Sequence, residues 1–95
     1  MPYEILIKPA AEKDLDKVPR SVRRRIIDAL ESLRNDPRPA GVVKLTDKED
    51  LWRVRVGEYR IVYEIDDQRA IVTVLRVAHR KDEEAPWFNS RMALA

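Results

Sequence analysis

The stretch LWRVRVGEYRIVYEI, Leu51 to Ile65, decides how this chain folds. Its apolar residues alternate rather than recur at helical spacing, which is the signature of strands with two unlike faces. In the first half Trp52, Val54 and Val56 point one way and Arg53 and Arg55 the other. In the second half Tyr59, Ile61, Tyr63 and Ile65 share a face, with Arg60, Val62 and Glu64 opposite. Gly57 and Glu58 between them make a tight connection, so the two halves form an antiparallel hairpin. Asp66, Asp67 and Gln68 turn the chain again. Ala70 to Ala78 then reads as a third strand, apolar on both faces and therefore central in its sheet.

Upstream of this meander the period changes. Tyr3 to Lys8 alternates as a first strand, and Pro9 suits the first turn of a helix. Ala11, Leu15 and Val18 fall at i, i+4 and i+7, so a short helix runs to about Val18, where Pro19 ends it and opens another. In this second helix Val22, Ile26, Ala29, Leu30 and Leu33 form one stripe, and Arg23, Arg24, Glu31 and Arg34 lie off it. Arg23, Arg24 and Arg25 are expected to solvate that helix, with added phosphate contacts as the alternative. The turn formers from Asn35 to Gly41 close the helical hairpin and begin a loop towards Lys44 and Leu45. The expected architecture is α+β: an N-terminal strand, a two-helix hairpin, then a three-stranded antiparallel meander with the helices on one face of the sheet.

Composition sets the outer bounds. The chain has 95 residues, 44% of them hydrophobic, which is enough for one domain over residues 1–95 and leaves no room for a second. Cysteine is absent, and Met1 to Lys17 mixes charges with short apolar runs and never gives the uninterrupted apolar region of a signal peptide. A soluble protein of the reducing cytoplasm, without a membrane partner, is expected. Net charge is only +2, yet it is the difference between 19 basic and 17 acidic residues. From Leu51 to Lys81 seven bases stand against four acids, and all but one of those bases are arginines. A local surplus of planar guanidiniums suits an anionic partner.

The common enzyme constellations are missing: one histidine, two glycines, no HExxH, no GxSxG and no phosphate loop. No metal, nucleotide or other small-molecule cofactor is expected. The residues left to carry chemistry are Arg53, Arg55, Arg60, Arg76 and Arg80, with His79 beside the last. In simple antiparallel register the aromatic and aliphatic side chains go to the helices and the arginines converge on the other side, with Trp52, Tyr59 and Tyr63 filling core. Arg60 sits mid-strand beside Val62, where a charge suits a wet, anion-binding groove. His79 has the side chain best matched to proton transfer near neutral pH. Trp87 and Phe88, in a polar tail, either anchor the C-terminus or offer a platform on which a base stacks.

Read together, LWRVRVGEYRIVYEID followed by VTVLRVAHRKD resembles the C-terminal half of the RelE/ParE toxin superfamily, in particular RelE-type ribosome-dependent mRNA interferases of type II toxin–antitoxin systems. The resemblance covers Tyr3 to Asp82. It implies an endoribonuclease that cuts messenger RNA in the ribosomal A site through attack of the 2′-hydroxyl on the neighbouring phosphate. It assigns the phosphate-binding positions to Arg53, Arg55, Arg60 and Arg80, with His79 as a further catalytic candidate. Arg76, Lys81 and Trp87 are expected to bind substrate. Relatives commonly carry a tyrosine soon after their HR, whereas this chain runs on as KDEEAPWFNSR, so residues 83–95 are expected to be a divergent tail or short helix. The same superfamily implies a RelB-like antitoxin and a heteromeric complex. The alternatives are a ParE-like toxin that poisons DNA gyrase by binding, or a catalytically weakened toxin that mainly binds its antitoxin.

Overall fold

The computed structural model describes residues 2–45 and 50–81. Strand β1 (Glu4–Ile7) is followed by helices α1 (Pro9–Lys17) and α2 (Arg20–Leu33), then by β2 (Val43–Lys44), β3 (Leu51–Val56), β4 (Tyr59–Asp66) and β5 (Ile71–His79). The sheet order is β1-β5-β4-β3-β2. The meander is antiparallel as expected, and β1 joins it by parallel pairing with β5, Glu4 opposite Ile71 and Ile7 opposite Val74. That pairing makes β5 an interior strand and explains why it is apolar on both faces. The expected tail residues, Trp87 among them, lie outside the described residues.

Both helices pack on one face. Ala11, Val18, Ile26, Leu30 and Leu33 meet Ile61, Tyr63, Ile65, Val72, Val74 and Val77 in a single buried cluster. Pro9 occupies the first turn of α1, with Glu12 in that turn and Lys17 in the last, an order that suits the helix dipole. Arg23 does not simply solvate α2. Its Nη2 donates to the carbonyls of Asp16 and Val18 at 3.2 and 3.0 Å, satisfying orphan acceptors at the end of α1. A smaller cluster on the opposite face joins Leu51, Val62, Leu75 and Ala78.

Three local features depart from the expected outline. Strand β2 stands where a loop was expected, because two residues are too few to show alternation; it pairs Val43 with Arg53 and Lys44 with Trp52. The segment before it is pinned by Tyr63, whose buried hydroxyl donates to the Pro37 carbonyl at 2.7 Å and whose pKa is pushed up by burial. Lastly, β4 and β5 slip register between Val62 and Tyr63: Tyr63 faces Val74 and Val62 faces Arg76, so Leu75 is the extra residue of a bulge.

Turn chemistry fits the hairpins. Gly57 has φ +61 at the first central position of the β3–β4 connection, as a type II′ turn requires. At the other end of the sheet Arg38 grips Asp67 with two hydrogen bonds, 3.2 and 2.8 Å, and the Tyr3 hydroxyl donates to the same carboxylate at 2.6 Å. Arg38 first, and Tyr3 after it, hold the Asp67 carboxyl below the usual carboxylate range. This contribution is present at neutral pH and is lost as the pH falls through the lowered pKa.

Two substitutions test the packing and the turns. Ile26→Ala, at a fully buried position, is expected to cost about 2–5 kcal/mol in urea denaturation. Ala70 holds a left-handed φ of 56° in the β4–β5 turn. Ala70→Gly is expected to add about 0.5–1 kcal/mol of stability, read as a higher urea midpoint.

Candidate functional site

Alternation along β3 and β4 puts Arg53, Arg55 and Arg60 on the face away from the helices. Arg55 stands directly across from Arg60, which in turn neighbours Ala78 of β5, while Arg53 faces Val62 on one side and Val43 on the other. These three arginines line a cleft of about 270 Å³ with Gly41 and Val43. Arg60 is the only buried charged residue among those described, at 8% exposure. Its Nη1 lies 3.5 Å from the Gly57 carbonyl and 3.3 Å from that of Tyr59, and Arg55 Nε donates to Gly57 at 3.0 Å. Like charges directly opposite on neighbouring strands repel. Backbone carbonyls relieve part of that repulsion, and an anion in the cleft would relieve more.

The remaining candidates separate from this trio. Arg80 follows β5 beside the β3–β4 turn: its amide donates to the Glu58 carbonyl at 2.7 Å, and its Nε lies 3.8 Å from the Glu58 carboxylate. Lys81 is exposed, and its amide donates to His79 Nδ1 at 3.2 Å. His79 does not face the arginine cleft. It packs edge-on against Tyr59, with ring centroids 5.2 Å apart, and lines a cleft of about 180 Å³ with Asp14, Lys17 and Val77 on the helix side. Its Nε2 lies 3.4 Å from the Glu58 carboxylate. Because Nδ1 accepts the Lys81 amide, the neutral ring carries its proton on Nε2.

Arg76 also stands apart, contrary to the expected convergence of five arginines. Its Nε and Nη2 bind the two oxygens of Asp14 at 2.7 and 3.0 Å, and the same carboxylate accepts the Val77 amide at 2.9 Å. β1 stops covering β5 at Val74, and past that uncovered edge the Arg76 fork meets Asp14 of α1, while the bulge at Leu75 is what turns His79 to the helix side.

Sequence reasoning passed over Asp14, Glu58 and the wall formed by Gly41 and Val43. Asp14 had a signal: it is an acid on the inward stripe of α1, between Ala11 and Val18, where a carboxylate needs a partner. Another concavity, of about 620 Å³, is at the opposite end of the sheet, and its lining includes four acids, Asp50, Glu64, Asp66 and Asp67, against one base, Arg69. Its acidic rim is unsuited to an anionic ligand.

A helical hairpin on one face of a meander closed by a parallel first strand is the fold that this chain shares with solved RelE toxins. The chain belongs to the family described as the ParE toxin of type II toxin–antitoxin systems, whose model matches residues 5–84. It is 32% identical to toxin RelG of Mycobacterium tuberculosis over 83 residues, which are 86% of this chain and 95% of that toxin. The RelE–RelB complex of Pyrococcus horikoshii contains a chain that superimposes with a TM-score of 0.76 at 29% identity, covering 84% of this chain and 97% of that one. The RelBE2 toxin–antitoxin complex of M. tuberculosis gives 0.73 at 30%, covering 84% and 100%.

Asp14 supplies a test of how the strand end is held. Asp14→Ala removes the shared acceptor of Arg76 and the Val77 amide and is expected to cost about 2–3 kcal/mol in chemical denaturation. Asp14→Asn keeps one acceptor oxygen and is expected to cost less.

Proposed function

We propose that this toxin is a ribosome-dependent endoribonuclease that cleaves messenger RNA in the A site. The observation that carries this reading is the cleft in which Arg53, Arg55 and Arg60 gather on one face, with Arg60 buried within it. A guanidinium held in a low-dielectric wall is already oriented before substrate arrives, so it needs no reorganisation as charge builds on a phosphate. In 2′-hydroxyl attack, negative charge accumulates on the non-bridging oxygens, and Arg55 and Arg60 would neutralise it while Arg53 and Arg80 hold the flanking backbone. Each guanidinium offers paired N–H groups that match phosphate geometry. Arg76 is left out of this set because its fork is engaged with Asp14.

Two toxins of similar fold occur in complexes with RelB-type antitoxins, in P. horikoshii and M. tuberculosis, which supports a RelB-like antitoxin as partner here. A second reading is favoured by the ParE description of the matching family model: a toxin that acts by binding DNA gyrase. The arginine cleft favours the nuclease, since a purely binding toxin has no need of a buried guanidinium.

The test uses ribosomes stalled on a defined message, with RNA ends mapped after adding the toxin. Wild type is expected to cut in the A site, and Arg60→Ala to lower the rate about 100-fold or more, with Arg80→Ala weaker in effect. An intact message with inhibited gyrase supercoiling would instead establish the second reading.

A further inference from the structure

Cleavage by the 2′-hydroxyl needs a group that takes its proton, and among the described residues the lining of the arginine cleft offers none. Guanidinium is protonated at every relevant pH and has no lone pair to offer. His79 turns to the helix side, with Nδ1 accepting the Lys81 amide and Nε2 directed at Glu58. Tyr63 is buried, and its phenol is engaged with Pro37. Glu64 lies across from Leu51, beyond the row of Val62 and Arg53 as seen from Arg60. Asp14 is bound to Arg76 and the Val77 amide.

Glu58 differs from all of these. It sits on the two-residue turn that separates the arginine trio from Arg80. On one side of it the Gly57 carbonyl receives Arg55 and Arg60, and on the other its own carbonyl receives the Arg80 amide at 2.7 Å. Its carboxylate is 60% exposed, so substrate can reach it, and it lies 3.4 Å from His79 Nε2 and 3.8 Å from Arg80 Nε. A phosphate held by the Arg80 guanidinium would lie beside this carboxylate.

We infer that Glu58 is the general base of the cleavage reaction, an assignment that rests on the endoribonuclease reading above. A Glu58 oxygen accepts the proton of the 2′-hydroxyl as the 2′-oxygen bonds to phosphorus. The bond from phosphorus to the 5′-oxygen breaks, and the leaving oxygen takes a proton from solvent water. The products are a 2′,3′-cyclic phosphate and a 5′-hydroxyl. His79, donating from Nε2, holds the carboxylate in place, which makes it a positioning residue for Glu58. Gly57 at φ +61 brings β3 back on itself within two residues and so sets Glu58 beside the end of β5, next to His79 and Arg80.

The experiment compares wild type, Glu58→Gln and Glu58→Asp in single-turnover cleavage of A-site message on stalled ribosomes, with toxin–ribosome affinity measured alongside and thermal melts confirming the fold. Glu58→Gln keeps the shape but not the basicity and is expected to lower the saturating rate about 100-fold or more, with affinity changed by no more than a few fold. Glu58→Asp is expected to recover part of that loss. A Glu58→Gln toxin that cuts as fast as wild type, or faster, overturns the assignment, and a faster one identifies the carboxylate as a brake on the arginines. If that happens while Arg60→Ala still abolishes cutting, the endoribonuclease reading survives and only the base is wrong. A wild type that cuts nothing overturns both.

Discussion

The bulge at Leu75 governs the functional end of this molecule. Up to Val74, β5 follows strict alternation, with Val72 and Val74 in the helix-side core. Continued without interruption, that phase would drive the Arg76 guanidinium into the core and leave Val77 outside it. The extra residue resets the phase: Leu75 and Ala78 join the outer cluster, Val77 returns to the core, and His79 ends on the helix side next to Tyr59. A bulge at this point needs support, because β1 stops covering β5 at Val74. Asp14 supplies it by accepting both the Val77 amide and the Arg76 fork. One helix carboxylate therefore closes an exposed strand edge and neutralises an arginine that would otherwise compete for core space.

The sheet is polarised along its strands. Arginines crowd the end near the β3–β4 turn, and Asp50, Asp66 and Asp67 occupy the other, where Arg38 ties Asp67 and Asp50 together. The small net charge conceals this separation. Arg38 also lies 5.1 Å above the Trp52 ring, whose Nε1 donates to Asp50. The acidic end is thus cross-linked by charge-assisted bonds, while like charges face each other at the basic end. Local conflict of that kind marks a place where something other than stability has been selected.

Most of the fold was legible in the sequence because its strands announce themselves by alternation and its helices by one apolar stripe each. The hairpin from Leu51 to Ile65, the helix break at Pro19 and the interior place of β5 follow from local pattern alone. The arginine trio was legible for the same reason, since residues two apart on one strand share a face. What failed to show was whatever depends on register. A bulge leaves no mark in a strand with apolar residues on both faces, so the departure of His79 from the cleft was hidden, and the capture of Arg76 by Asp14, 62 residues away in the chain, has no local signature either. Strand β2 is too short to carry a pattern, and Glu58 reads as an ordinary turn residue until its neighbours in space are known.

The parallel pairing of β1 with β5 has a consequence for how the protein comes into being. Its first strand finds its place only beside its last, and every other element lies between them in the chain. Contacts of such long sequence separation form late, after the entropy of closing the intervening loop has been met. During synthesis the N-terminal strand must wait, unpaired, until Ile71 to Val74 has left the ribosome. The five-stranded sheet of this toxin is therefore incomplete in the growing chain until β5 has been made.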